Sequence, residues 1–212
     1  MKKILIIGKR GFIGTKLNNY LKNYYYVKRI SFKEIKKYSK RINDFNYVIN
    51  TSTNKNYISK KYNEKFDNDL TISKFITNNK TIFCLMSTRK VYPSKPNLKE
   101  NTKLSPKSNY SKNKCITENK LINELSKNLL ILRISNIIGD KKNSKSIHET
   151  FIDIFSKYIQ KGIIFDNGRV FKDFISIDKF CQIIQCIIKK NLIGIYNVSI
   201  GQKIYLNDLI GW

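Results

Sequence analysis

Apolar runs alternate with amphipathic stretches along most of the chain. The first run, Ile4–Ile7, is wholly apolar, as in a strand buried on both faces of a sheet, and Leu17 and Leu21 follow at helical spacing. The same alternation continues downstream. It predicts strands at residues 24–30, 44–51, 81–86, 129–134, 163–165, 174–175 and 194–198, and helices at 32–39, 64–78, 110–126, 147–161 and 179–190.

Strands that alternate with helices predict a doubly wound α/β fold, with a mostly parallel Rossmann-type sheet covered by helices on both faces. We expect one domain of this type over residues 1–212, with partial segments of a small second lobe around 139–178 and 199–212. The polar stretch 87–109 holds all three prolines and predicts a long loop. In such a fold, ligands bind at the carboxyl ends of the strands.

Three glycines, Gly8, Gly11 and Gly14, separate the first strand from the first helix. A glycine can adopt backbone angles that a Cβ forbids, and it lets a pyrophosphate approach the backbone. The helix N-terminus that follows offers free N–H groups and a partial positive charge to that anion. The spacing therefore predicts a phosphate site, with a strand–helix turn that binds no ligand as the alternative.

A second candidate group comprises Ser87 and Thr88 after a predicted strand, and Tyr110 and Lys114 at the start of a helix. Tyr110 and Lys114 share a helix face, and an ammonium close to a phenol lowers the pKa of that phenol. With Thr88 bound to a substrate oxygen, such groups can move a proton while a nicotinamide exchanges a hydride. The alternative is that Tyr110 is one of 13 tyrosines and lies by chance near a lysine.

The formal net charge of +26 by itself favours a nucleic-acid ligand. However, the lysines are spread along the whole chain, and alanine is absent while lysine, asparagine, isoleucine and tyrosine are abundant, as an A/T-rich genome would produce. We therefore disfavour nucleic acid as a partner. No apolar run approaches the ~18 residues of a membrane span, and four cysteines with one histidine lack the spacing of a zinc site. We expect a cytoplasmic protein without a metal.

Taken in order, these segments resemble the extended short-chain dehydrogenase/reductase family of NAD(P)-dependent nucleotide-sugar epimerases, dehydratases and 4-keto reductases. The match covers nearly the whole chain, which makes it more specific than any single motif. The matching segments are GKRGFIG (8–14), VINTST (48–53), MSTRKVYP (86–93), the run Glu100, Pro106, Tyr110, Lys114 and Glu118, LRISNIIG (132–139), NGRVFKDFISID (167–178) and IYNVSIG (195–201).

The resemblance implies roles for individual residues. Tyr110 would be the general acid/base, Lys114 would lower its pKa and bind the nicotinamide ribose, and Thr88 would orient the reacting oxygen. Thr88, Asn136 and Lys172 would bind substrate, with turn capping as the alternative for Asn136. The cofactor-binding residues would be Gly8, Arg10, Gly11, Phe12, Ile13, Gly14, Lys28, Arg29, Thr51, Ser52, Ser87, Tyr110 and Lys114.

The chain departs from the family pattern on the cofactor side. Lys28 and Arg29 stand where a carboxylate usually holds the ribose 2′-hydroxyl of NAD. Together with Arg10, these cations suit a 2′-phosphate, which predicts NADP slightly preferred over NAD, unless they are ordinary solvated charges. No segment corresponds to the family's third strand, so we expect a reduced sheet edge.

Further departures concern the substrate side. Arg89 and Lys90 replace the Asp-Glu pair of the dehydratases, so the dehydratase route lacks its acid and base. Lys172 replaces an arginine that usually meets the substrate diphosphate, and Arg169 is a substitute for it. The chain ends at Trp212, several dozen residues before its relatives do.

We therefore expect an NAD(P)-dependent epimerase or 4-keto reductase that acts on a nucleotide-linked sugar in surface polysaccharide synthesis. Its partners would be the nucleotide-sugar substrate and a second copy in a homodimer, since the family often dimerises through paired helices. The alternative is a cofactor-binding protein of the same fold with little or no activity.

Overall fold

The computed structural model describes residues 1–139, 151–162, 170–205 and 208. Its strands are β1 (Lys3–Ile7), β2 (Tyr26–Ile30), β3 (Tyr47–Asn50), β4 (Ile82–Thr88), β5 (Leu129–Ile134), β6 (Asn136–Ile138), β7 (Phe171–Lys172), β8 (Phe174–Ser176), β9 (Gly194–Val198) and β10 (Ile204–Tyr205). Its α-helices are α1 (Phe12–Leu21), α2 (Ile35–Tyr38), α3 (Lys55–Ser59), α4 (Asn68–Ser73), α5 (Asn109–Leu125), α6 (Phe151–Gln160) and α7 (Ile177–Lys190).

Six strands form one parallel sheet in the order β2-β1-β3-β4-β5-β9. The chain winds outward from β1 toward β2 and then from β3 toward β9. A crevice therefore opens at the carboxyl ends of β1 and β3, where doubly wound sheets bind their ligands. The predicted Rossmann-type fold is confirmed.

Helices cover both faces of the sheet, and the side chains of each strand alternate between these two faces. Ile4 and Ile6 of β1 face the side on which α1 and α7 pack, with Leu17 and Phe180 among the buried contacts. The opposite face, which includes Leu5 and Ile7, lies under α2, α4 and α5. The apolar run Ile4–Ile7 of β1 thus reflects burial on both sides.

The sheet ends early at β2, as the sequence predicts. Among the described residues, no strand pairs with the outer side of β2, and the residues before β3 form α2 and two 3₁₀ segments. Ser31 and Glu34 form a capping box, in which the Glu34 carboxylate accepts hydrogen bonds from the Ser31 backbone N–H and hydroxyl at 2.8 and 2.7 Å.

The helix predicted at 64–78 is wrong in its bounds. A 3₁₀ turn over Glu64–Phe66 comes first, and α4 then runs only from Asn68 to Ser73. Asp67 separates the two because its carboxylate accepts the Leu70 backbone N–H at 3.1 Å, which caps a new helix. The short helix α3 also lies in a segment for which the sequence predicts no element.

Two small strand pairs lie beyond the main sheet: β6 pairs with β8 in parallel, and β7 with β10 antiparallel. The sequence predicts no strand at the position of β6. The strand predicted at 163–165 and the first residues of the helix predicted at 147–161 lie outside the described residues. None of the helices in the described ranges is long and apolar enough to cross a membrane.

Candidate active site

The glycine loop lets α1 pack directly against the end of β1. Gly8 has φ of +139°, which only glycine adopts readily. A Cβ at Gly14 would lie 2.6 Å from the Thr51 hydroxyl and would also clash with the Gly8 carbonyl. Thr51 itself donates its hydroxyl to the Ile7 carbonyl at 3.0 Å, so it joins β1, β3 and α1.

The start of α1 fits the pyrophosphate of a dinucleotide. Helix α1 follows Gly11 with no side-chain cap and no acidic residue in its first turn. A Cβ at Gly11 would meet only the Thr51 carbonyl, at 4.0 Å, so the space above this backbone is open. Phe12 is buried in the core and Ile13 packs partly against it, so their backbone N–H groups are what they offer to an anion.

Alanine variants of Gly11 and Gly14 should behave differently. Gly14→Ala should lower the free energy of unfolding by about 1–3 kcal/mol or more, because the added methyl clashes with backbone. Gly11→Ala should keep the melting temperature, since its φ of −75° and ψ of 151° suit alanine, yet weaken nicotinamide cofactor binding roughly tenfold. Thermal unfolding and cofactor titration of both variants check this, and equal behaviour of the two would contradict it.

The end of β2 carries both cations and a carboxylate. The Arg29 guanidinium donates to the Thr15 hydroxyl of α1 at 3.0 Å, and the Lys28 ammonium lies 6.0 Å from the centre of the Tyr38 ring. Arg10 is exposed on the glycine loop. The sequence has no carboxylate directly at this strand end, but the fold brings that of Glu34 back to it. Hydrogen bonds from Ser31 and the charge of Lys9 lower the pKa of Glu34.

Tyr110 and Lys114 lie one turn apart at the start of α5, which Ser108 caps by accepting the Ser111 backbone N–H at 3.2 Å. The Lys114 side chain is only 3% exposed. Its ammonium donates to Asp69 Oδ2 of α4 at 2.8 Å and lies 5.5 Å from the centre of the Tyr57 ring. The predicted catalytic lysine is therefore one half of a buried ion pair.

Electrostatic effects at this pair act in opposite directions. Burial lowers the pKa of Lys114, but the Asp69 carboxylate together with Tyr57 and Tyr110 raises it above its ordinary value, so the lysine remains an ammonium. Burial raises the pKa of Tyr110; the Lys114 charge lowers it and the Asp69 charge raises it again. The net result is a Tyr110 pKa above its ordinary value in the structure without bound ligands.

Thr88 ends β4 at the same edge of the sheet, and its Oγ1 accepts the Lys90 backbone N–H at 3.3 Å. The preceding hydroxyl, that of Ser87, is buried and donates to the Glu118 carboxylate on α5. This bond joins β4 to α5 one turn beyond Lys114. The structure thus brings the predicted catalytic residues of two distant segments to one end of the sheet.

A buried network fixes the long loop after β4. Arg133 of β5 donates to Glu118 Oε2 at 2.7 Å, and both side chains are at most 5% exposed. Arg133 Nη1 also donates to the Tyr92 hydroxyl at 2.7 Å and to the Glu100 carbonyl at 2.9 Å. Tyr92 in turn donates to Asn197 of β9 at 2.9 Å. One buried cation therefore holds two points of the loop, at Tyr92 and Glu100.

A cavity of about 220 Å³ opens beside this loop, and among the charged residues of its lining cations outnumber the one carboxylate, Asp173. Arg89 and Lys172 both line it, and the Arg89 Nε is buried with no hydrogen-bond partner in the described structure. Burial lowers the pKa of Lys172, and the charges of Arg89 and Lys90 lower it further, which shows that these cations lie close together. The cavity therefore favours an anionic ligand.

The remaining predicted substrate residue, Asn136, lies in β6. Its side-chain amide donates to the Asp173 carbonyl at 2.9 Å, so in this structure it connects β6 to the segment between β7 and β8. The Asp173 carboxylate accepts the backbone N–H groups of Ile200 and Gly201 at 3.1 and 2.5 Å. Arg169, the expected substitute for the family arginine, lies outside the described residues.

The sequence reasoning missed Asp69 and Asn50. Asn50 donates to Asp69 Oδ1 at 2.6 Å, and both are buried. A signal was present: the chain has only 15 acidic residues against 41 basic ones, and Asp69 directly precedes the apolar positions Leu70 and Ile72. An acidic residue in such a segment is buried only if it has a partner.

A model of the NAD dependent epimerase/dehydratase family matches residues 4–199. The chain therefore belongs to this family, and the predicted resemblance is confirmed. Family membership and the open glycine loop both indicate a nicotinamide dinucleotide cofactor. No curated protein sequence matches the chain significantly.

Solved structures of nucleotide-sugar enzymes share the fold. A UDP-N-acetylglucosamine 4-epimerase from Methanobrevibacter ruminantium, in complex with UDP-N-acetylmuramic acid, is 20% identical with a TM-score of 0.76; the alignment covers 99% of this chain and 80% of that one. The UDP-glucose 4-epimerase of Thermotoga maritima is 18% identical with a TM-score of 0.73, over 99% and 80%. A UDP-glucuronic acid 4-epimerase from Bacillus cereus, in complex with NAD and a substrate analogue, is 19% identical with a TM-score of 0.74, over 99% and 81%.

Proposed function

We propose that this protein is an NAD(P)-dependent epimerase or 4-keto reductase that acts on a nucleotide-linked sugar. The observation that carries the proposal is the charged, buried Lys114 one turn after Tyr110, at the sheet edge that also carries the open glycine loop. The neighbouring epimerase structures, which hold UDP-sugars or NAD, support the same class of substrate. Surface polysaccharide synthesis in the cytoplasm is the setting we propose for it.

The chain's own residues divide the chemistry between them. When bound, the nicotinamide accepts a hydride from the sugar carbon or returns it. Tyr110 takes up the hydroxyl proton as that carbon is oxidised and gives it back on reduction, which needs a phenolate in one direction and a phenol in the other. Lys114 stabilises the phenolate and holds the nicotinamide ribose. Thr88 donates or accepts a hydrogen bond at the reacting oxygen.

The cation-lined cavity is where we place the anionic part of the substrate. Arg89 and Lys172 both line it, and a diphosphate or another acidic group would satisfy the buried Arg89 Nε. The same Arg89 and its neighbour Lys90 occupy the positions of the dehydratase carboxylates. This favours an epimerase or reductase over a dehydratase within the family.

If the cavity binds the anionic part of the substrate, Arg89→Gln should weaken substrate binding. Losing a charged donor should raise KM for the nucleotide sugar about tenfold or more, with a smaller change in kcat. Arg41→Gln, which changes an arginine whose side chain is 74% exposed, is the matched control and should leave KM as it is. An Arg89→Gln enzyme with wild-type KM would remove the cavity from the substrate site.

For the cofactor we propose a slight preference for NADP. Arg10 and Lys28 support it as exposed cations beside the glycine loop and β2. Glu34 at the same strand end favours the ribose hydroxyl of NAD and limits the preference. We also propose a homodimer through α5, on which Ile116 and Ile122 are exposed large apolar side chains. Light scattering measures the mass of the particle.

Fluorescence titration with NADPH and NADH side by side, followed by turnover assays on a panel of UDP- and dTDP-sugars, tests the function. The proposal expects saturable binding of both, somewhat tighter for NADPH, and conversion of at least one sugar. Binding without any conversion would favour the alternative of a cofactor-binding protein with little or no activity. Absence of binding would overturn both.

A further inference from the structure

A chain of buried polar contacts connects the segment after β3 to the catalytic lysine. The Ser52 hydroxyl donates to Asn50 Oδ1 at 2.6 Å, and the Asn50 amide donates to Asp69 Oδ1 at 2.6 Å. Asp69 Oδ2 then accepts the Lys114 ammonium at 2.8 Å. Asn50, Asp69 and Lys114 are each at most 4% exposed, so water does not compete for these contacts.

We propose that Asp69 is a positioning residue of the catalytic pair: it holds the Lys114 ammonium in place and offsets the charge that this ammonium presents to Tyr110. This inference rests on the proposed function, in which Tyr110 exchanges the proton and Lys114 assists it. It adds a third charged group, from α4, which no sequence motif of the site contains.

Geometry carries the positioning half of this role. Both oxygens of Asp69 have a donor, Asn50 on one and Lys114 on the other, so the carboxylate has a fixed orientation. The Lys114 ammonium is held between this carboxylate and the face of the Tyr57 ring, 5.5 Å from its centre. An ammonium has three donors, so Lys114 keeps further donors for a ribose hydroxyl while Asp69 orients it.

The electrostatic part of the role depends on the charged groups around Asp69 and Lys114. The groups that face this pair are Asn50 from β3, Tyr57 from α3, Asp67 that caps α4, Cys84 from β4, and Tyr110 and Thr117 from α5. Burial raises the pKa values of Tyr57 and Cys84 far above neutrality, so these two groups carry no charge.

Asp67 is the remaining acidic neighbour, and its hydrogen bonds lead elsewhere. Its carboxylate accepts from the Leu70 backbone N–H, from the Thr117 hydroxyl at 2.5 Å and from the Tyr62 hydroxyl at 3.2 Å. Asp69 is thus the counter-ion in direct contact with Lys114. The Lys114 ammonium lowers the pKa of Tyr110, and the Asp69 carboxylate raises it again in part.

The test is a cycle of four proteins: wild type, Asp69→Asn, Lys114→Met and the double variant. For each, the tyrosinate absorbance is titrated with pH, and the curve of the matching Tyr110→Phe protein is subtracted to isolate Tyr110. Removing Asp69 should lower the pKa of Tyr110 by about one unit or more, both with Lys114 present and in the Lys114→Met background. The acidic limb of the kcat–pH profile for alcohol oxidation should move down by the same amount.

The double variant guards against a folding defect, because replacing both members of a buried ion pair is often neutral for stability whereas removing one is costly. Asp67→Asn, at the N-cap of the same helix, is the matched control and should shift the pKa of Tyr110 less. Asp69→Glu keeps the charge and should restore most of the wild-type profile. A Tyr110 pKa that is the same with and without Asp69 in both backgrounds would overturn the inference.

The absorbance titration needs no turnover. If the protein converted no sugar, the proposed function would fail while the electrostatic role of Asp69 was still measured. If turnover were normal but Tyr110 titrated independently of Asp69, only the inference about Asp69 would fail.

Discussion

Tyr110→Phe is expected to lower turnover of the nucleotide sugar by about 10²–10⁴-fold while the nicotinamide cofactor still binds. The variant removes only the hydroxyl that exchanges the proton. Lys114 stays paired with Asp69, and the glycine loop is untouched. Steady-state kinetics combined with cofactor titration separate the two effects.

A matched tyrosine serves as the control for that variant. Tyr26 is 50% exposed on the edge strand β2, and Tyr26→Phe should keep wild-type kcat and cofactor affinity. Retention of full activity by Tyr110→Phe would show that another group exchanges the proton. Loss of cofactor binding together with activity would mean that the variant damages the site as a whole.

Glu118→Gln is expected to lower the free energy of unfolding by about 3–5 kcal/mol. The substitution leaves the Arg133 guanidinium buried without its counter-ion, in a network that also holds Tyr92 and the Glu100 carbonyl. The segment from Tyr92 to Glu100 should loosen as well, because Arg133 holds both the Tyr92 hydroxyl and the Glu100 carbonyl. Urea unfolding gives the stability, and hydrogen exchange of that segment reports the loop.

An exposed ion pair provides the comparison. Glu64 pairs with Lys74 and Lys120 at a side-chain exposure of 47%, and water already solvates all three groups. Glu64→Gln should therefore change the unfolding midpoint very little. The double variant Glu118→Gln/Arg133→Met should recover part of the lost stability. Equal effects of Glu118→Gln and Glu64→Gln would contradict the structural role of the buried pair.

The fold could be predicted from the sequence where buried positions produce a recognisable pattern of apolar residues. Strands β5 and β9 are predicted to the residue, at 129–134 and 194–198. β5 is almost wholly apolar because both of its faces are covered, and β9 ends at buried Val198. The bounds of α4 could not be predicted, because Asp67 acts as a cap through its side chain and the apolar pattern runs on past it.

Strand β8 is predicted at 174–175, but the pairings β6–β8 and β7–β10 could not be predicted from the sequence, for a different reason. Each member has only two or three residues, too few to show a period, and each pair is formed by segments more than 30 positions apart. Their pairing depends on tertiary contacts such as that of Asn136 with the Asp173 carbonyl.

The site residues differ in the same way: those related by local spacing could be predicted, and those brought in by tertiary contacts could not. Tyr110 and Lys114 could be found because a helix places positions four apart on one face. Gly8, Gly11 and Gly14 could be found because all three lie in the short stretch from the end of β1 to the first turn of α1. Asp69 could not, since it meets Lys114 from another helix 45 positions earlier in the chain. Glu34 shows the same limit: a carboxylate returns to the end of β2 through a capping box rather than through the strand itself.

The central claim is that this chain moves a hydride at a nucleotide-linked sugar with Tyr110 as its acid/base. Nucleotide sugars carrying deuterium at carbon 4 test it, with nuclear magnetic resonance following the sugar in the presence of wild-type protein and cofactor, and with Tyr110→Phe in parallel. For an epimerase we predict inversion at carbon 4 with the deuterium kept on that carbon; for a reductase, transfer of deuterium from labelled NADPH to a 4-keto sugar. A protein that binds the cofactor yet leaves every sugar and the label unchanged would contradict the claim.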